Sequence, residues 1–111
     1  AEISREAFTL VGKARMGKLM PDEFTGGTFT VSNLGGYGLE SFQAIINPPE
    51  SGILAIGSIH KKAVVIGDEM MIRPMMSIVG SFDHRLVDGA LAARFMAGLK
   101  KILEETPALF I

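Results

Sequence analysis

Ser81-Phe82-Asp83-His84-Arg85-Leu86-Val87-Asp88-Gly89 is the stretch on which the architecture turns. Before it, Met75 to Phe82 reads as an apolar strand. After it, Leu91, Phe95, Leu99, Ile102 and Leu103 share one face of a helix that Asp88 is suited to cap and Pro107 to end. Working outward, Ile53 to Ile59 is an apolar run suited to a central strand. Ala63 to Ile66 and Met70 to Ile72 flank Gly67-Asp68-Glu69, which signals a hairpin. Phe42 to Ile46 is a short strand-like run closed by Asn47-Pro48-Pro49. Further back, Gly26-Gly27 opens a strand from Thr28 to Ser32, and Asn33 to Gly38 is a glycine-rich turn. At the start, Ile3, Ala7, Leu10, Val11 and Ala14 form the stripe of a first helix, with Lys13, Arg15 and Lys18 toward the end its dipole favours. Gly17 and Pro21 stop that helix, and nothing caps its beginning. Helix, strands, helix predicts an α/β two-layer sandwich, a mixed β-sheet with helices on one face.

The 111 residues suffice for one domain or part of one. With 48% hydrophobic residues the chain can build a core, so extended disorder is excluded. A net charge of -1 gives no basic field for nucleic acid or an anionic membrane, and no apolar run approaches a membrane span. The absence of cysteine excludes disulfides, thiolate metal sites and a cysteine nucleophile. Mean hydropathy is +0.33, more apolar than so small a domain hides alone, which points to burial against partners. The opening Ala1-Glu2-Ile3 and the uncapped helix suggest a piece of a longer polypeptide.

Few residues are suited to chemistry. His84 stands at a strand-to-helix junction, and an imidazole titrates near neutrality. Spacing alone leaves two readings open: a proton-transfer group beside an organising Asp88, or a strand-end histidine and a helix cap. Ser32 at a strand-turn junction is, on its own, a hydroxyl bonded to nearby backbone. Gly35, Gly36 and Gly38 lack the spacing of a phosphate-binding loop and read as a turn. His60 and His84, far apart and without a carboxylate cluster, make a poor metal site. Lys61 and Lys62 read as a solvated strand end. Met70, Met71, Met75 and Met76 read as core or interface packing.

DHRLVDG at 83–89 resembles the active-site motif of the dihydrolipoamide acyltransferase components of 2-oxo acid dehydrogenase complexes. The His-x-x-x-Asp-Gly core is shared with chloramphenicol acetyltransferases. GKARMGKLM at 12–20, GGTFTVSNLGGYG at 26–38 and IINPPESGILAIGSI at 45–59 are similar to that family's other blocks, in the family's order. The match is to the C-terminal portion of a single catalytic domain, 1–111. The resemblance implies an incomplete chloramphenicol acetyltransferase-like fold and acyl transfer between the dihydrolipoamide thiol of a lipoyl domain and coenzyme A. A non-catalytic core protein and an acetyltransferase for a small soluble acceptor are the alternatives.

By position, the resemblance makes His84 the general base and Ser32 the donor to the oxyanion. Asp88 becomes an organiser of the site. Arg85 becomes a buried or semi-buried ion-pair former, Gly89 a tight entry into the helix and Asn33 a support for the loop carrying Ser32. With no cysteine, transfer is expected directly from thiol to thiol. Coenzyme A is then a substrate, its phosphates being the alternative partner for Lys61 and Lys62, and the lipoyl group rides on a separate domain. The implied assembly is a homotrimer built into a core of 24 or 60 chains, with His84 from one subunit meeting Ser32 of its neighbour. Decarboxylase and dihydrolipoamide dehydrogenase components would join through upstream domains, and Leu109, Phe110 and Ile111 would dock into another trimer. A prokaryotic cytoplasm and a mitochondrial matrix fit equally.

Overall fold

The computed structural model describes residues 1–105. Its centre is β2, Gly52–Ile56, where Ile53, Leu54 and Ala55 are the buried apolar core. β1, Thr30–Asn33, pairs parallel to one side of it, and β5, Ile78–Phe82, antiparallel to the other. Successive side chains of β2 are buried on both faces, which explains why it is an unbroken apolar run. β3, His60–Ile66, and β4, Glu69–Met75, form a separate antiparallel hairpin around Gly67-Asp68, with Gly67 at a φ of 62°. That hairpin is largely exposed.

Helix α2, Gly89–Glu104, lies on one face of the mixed sheet. Its Phe95 ring stands 6.0 Å from that of Phe29 and 5.9 Å from that of Phe82. Gly52 and Gly80 make room for the cluster: a Cβ would come within 2.7 Å of the Phe29 ring at the first and 2.6 Å of the Phe82 ring at the second. This is the expected α/β sandwich, with α2 as its helical layer. Helix α1, Glu2–Arg15, buries no residue, and Lys13 Nζ reaches Glu23 at 2.8 Å. As its sequence predicts, no side chain caps its start.

Two strand predictions need correction. Phe42 to Ile46 joins no ladder. Phe42, Ala44 and Ile46 are half-buried and alternate with exposed neighbours, so the period of two is real. It reports which side faces protein, not whether a backbone partner exists. The run belongs instead to the long crossover that parallel β1 and β2 require. Met75 to Phe82 is not one strand either: Met75 pairs with His60 and Ile78 with Ile56, and the break falls between. The partners β2 and β3 are separate elements, so the strand opposite them must divide as well. The first strand begins at Thr30 rather than Thr28 and runs through Asn33. No helix among the described residues is long and apolar enough to cross a membrane.

Candidate functional site

The junction after β5 is held by its own polar groups. The Asp83 N–H donates to the Ser51 carbonyl at 2.8 Å, and the N–H groups of Leu86 and Val87 donate to the Asp83 carbonyl at 2.9 Å each. The Arg85 guanidinium grips the Asp83 carboxylate with Nε at 2.9 Å and Nη2 at 2.7 Å, while the Arg85 N–H adds a bond of 3.1 Å. Those donors, the side chain first, lower the Asp83 pKa to about 2. Arg85 is therefore an ion-pair former, as expected, but not a buried one: its side chain is 89% exposed. Local i, i+2 geometry needs no burial, since both partners sit on one turn.

That turn presents His84 to a cleft of about 630 Å³. Ile46, Pro48, Pro49 and Glu50 line it as well, with a cis peptide between Pro48 and Pro49. Four residues on, Asp88 caps α2, its Oδ1 accepting from the Leu91 N–H at 2.7 Å. Capping fixes where the helix starts and so fixes the length of the turn that holds His84. Gly89 does not serve the tight passage expected of it: a Cβ there would meet nothing within 4 Å, and its φ is not positive.

Ser32 lies at the other end of the sheet. It pairs with Ala55, which pairs with Val79, whereas His84 follows Phe82, opposite Gly52. Two strand spacings and three residues of strand put Ser32 about 14 Å from Phe82, and the turn carries His84 further. One chain therefore does not bring the two together. Next to Ser32, the Asn33 Oδ1 accepts from the Gly35 N–H at 2.9 Å.

The remaining candidates resolve as structure. Lys62 forms an ion pair with Glu40, and His60, exposed, contacts the Ser58 hydroxyl. Ser58 Oγ donates to the Leu39 carbonyl at 3.1 Å, which commits its proton to the backbone. Gly35 and Gly38 belong to a short 3-10 turn, with Gly38 at a φ of 76°. Met75 and Met76 line a groove of about 580 Å³ with Met96 and Leu99, while Met70 is exposed on the hairpin. Among the described residues no cluster suits a metal ion. Leu109, Phe110 and Ile111 lie outside the described residues.

Two site residues escaped the sequence reading. Asp83 had a local signal, a carboxylate two positions before an arginine in a turn. Glu50 had none: it lines the cleft and accepts a hydrogen bond from Thr30, a partner 20 positions away.

The family described as 2-oxoacid dehydrogenases acyltransferase (catalytic domain) matches residues 1–111. The chain is 50% identical over 110 residues to the dihydrolipoyllysine-residue acetyltransferase component of the pyruvate dehydrogenase complex of Rickettsia felis, covering 99% of this chain and 26% of that protein. It superposes with a TM-score of 0.93 and 37% identity on the dihydrolipoamide acetyltransferase of Azotobacter vinelandii, over 99% of this chain and 45% of that one. In that enzyme the catalytic roles studied are those of a serine, a histidine 52 positions further on and an asparagine four after it. A TM-score of 0.93 with 36% identity relates it also to the cubic core of a pyruvate dehydrogenase multienzyme complex, again covering 99% and 45% of the two chains. The chain thus spans about a quarter of such a curated relative and under half of the solved chains.

Proposed function

Because this chain belongs to the family of 2-oxoacid dehydrogenase acyltransferase catalytic domains, we propose that residues 1–111 supply the base and the oxyanion donor of a thiol-to-thiol acyl transfer. The observation that carries this reading is a spacing. Ser32, His84 and Asp88 repeat the separations of the serine, histidine and asparagine of the Azotobacter vinelandii enzyme. The fold supports it by opening His84 onto a cleft with apolar walls, Ile46, Pro49, Phe82 and Leu86 among them, into which a slender thiol arm fits.

His84 takes the proton of the incoming thiol, and the sulfur lone pair forms a bond to the thioester carbonyl carbon. The carbonyl electron pair moves onto oxygen, where the Ser32 hydroxyl donates to it. Collapse restores the carbonyl and breaks the original carbon–sulfur bond. His84 then returns its proton to the departing thiolate. Coenzyme A and a dihydrolipoamide group borne on a separate lipoyl domain are the two thiols of this reading. Because Ser32 and His84 lie at opposite ends of one sheet, the working pair comes from neighbouring copies in a trimer, itself part of a larger core. Asp88, an aspartate where the relative's spacing has an asparagine, keeps the cap and thereby the turn.

The test is thioester exchange by the full-length protein, assayed with several acyl-coenzyme A donors. His84→Ala is expected to lower kcat by about 10²–10⁴. Near-normal turnover would remove His84 from the chemistry, and no exchange with any donor by the unaltered protein would overturn the acyl-transfer reading.

A further inference from the structure

The His84 cleft contains two carboxylates in unlike circumstances. Asp83 is neutralised by the two-pronged grip of Arg85. Glu50, half-buried and lining the same cleft, has a neutral partner, the Thr30 hydroxyl, which donates to its Oε1. Its Oε2 lies against Gly27, where a Cβ would stand 3.0 Å away. Among the described residues no cation comes within ion-pair distance of it. Asp83 and Arg85 pair with each other, so among the described residues Glu50 is the cleft-lining carboxylate without a cationic partner. Ile46, Pro49, Phe82 and Leu86 line the same cleft, and apolar walls focus a charge's field where water would screen it.

We propose that Glu50 sets substrate class at this site, admitting short uncharged acyl groups and repelling acyl groups that end in a carboxylate. The inference rests on the acyl-transfer reading of His84. Its sign follows from Coulomb repulsion between like charges a few ångströms apart in a partly desolvated cleft, which changes rates by about tenfold or more.

The probe is a pair of thioesters with the same four-carbon chain, butyryl-coenzyme A and succinyl-coenzyme A, which differ in one terminal carboxylate. The full-length protein is expected to use butyryl about tenfold better in kcat/KM; a preference for succinyl overturns the proposal. Glu50→Gln keeps the acceptor for Thr30 and removes the charge. It should narrow the gap about tenfold, and an unchanged ratio overturns the proposal. Thr30→Val removes the hydrogen bond and keeps the charge, so the ratio should stay within about threefold. A shift as large as that of Glu50→Gln would assign the effect to the position of the wall and sink the charge argument. Should Glu50→Gln fail to assemble, salt titration of the unaltered protein replaces it: added salt should favour succinyl over butyryl, and a flat ratio overturns the idea. His84→Ala run in parallel separates the two failures. If it stays active, His84 is not the base and the assignment of the reaction to this cleft falls; if it is inactive while Glu50→Gln leaves the ratio unmoved, only the selectivity inference falls.

Discussion

The two ends of the three-stranded sheet are secured by opposite means. At the His84 end, side chains do the holding: Arg85 on Asp83, Asp88 on the start of α2, and the Phe29–Phe82–Phe95 cluster beneath. At the Ser32 end, the absence of side chains does much of it. A Cβ on Gly57 would stand 2.0 Å from the Glu40 carbonyl oxygen, and one on Gly35 would stand 3.0 Å from the Gly57 carbonyl oxygen. Backbones touch there because glycine lets them. The contrast separates roles too: one end presents an imidazole to a cleft, the other an edge strand whose serine lies far along the sheet from His84.

The sharpest way to break this picture is to test whether the two ends cooperate between copies. Ser32→Ala should lower kcat by about 10²–10³ with little change in KM. Assembling that variant together with His84→Ala from mixed, unfolded chains should restore about a quarter of the unaltered activity. In a random trimer each interface has an even chance of receiving an intact residue from either side. A mixture no more active than its parents would mean that each chain completes its own site, against the 14 Å separation along the sheet.

Next in size is the glycine contact at the Ser32 end. Gly57→Ala places a methyl group against a main-chain carbonyl, which cannot rotate away as a side chain can. The expected loss is about 2–3 kcal/mol in denaturant unfolding of the full-length protein. A change under about 0.5 kcal/mol would show that the crossover through Glu40 yields freely. At the His84 end, Asp88→Ala removes one cap and should cost about 1 kcal/mol, while Asp88→Asn, which still accepts from Leu91, should cost little. Equal losses from both would make the charge, not the cap, the important feature.

This division also explains what the sequence made legible. Asp88 was readable as a cap because capping is local, with donor and acceptor three residues apart. The central strand was readable because burial on both faces leaves an unbroken apolar run. The break at Met76–Ser77 was not, since it is imposed by His60 and Ile56, partners 15 and 22 positions away in the chain. Glu50 escaped for the same reason: its meaning comes from Thr30 and from the cleft, and neither lies beside it. The separation of Ser32 from His84 needed the register of two ladders, which no periodicity encodes. The motif implied their pairing only through the resemblance.

The smallest effect concerns the turn that presents His84. The Asp83 pKa is lowered to about 2, chiefly by the Arg85 side chain. A carboxylate whose pKa falls on folding contributes stability that is present above its unfolded value near 3.8 and is lost as pH falls toward 2. Arg85 is so exposed that the contribution at neutral pH is small. The titration itself is the better readout. In Arg85→Ala the carboxylate signal of Asp83, followed by NMR, should titrate closer to 3.8 without reaching it, because the main-chain N–H at position 85 still donates. Arg85→Lys should fall between the two, since an ammonium keeps the charge but cannot grip both oxygens from one plane. If Arg85→Lys titrates like the unaltered protein, charge alone governs Asp83 and the two-pronged geometry adds nothing. If instead it titrates like Arg85→Ala, the fork is what holds this turn in shape beneath His84.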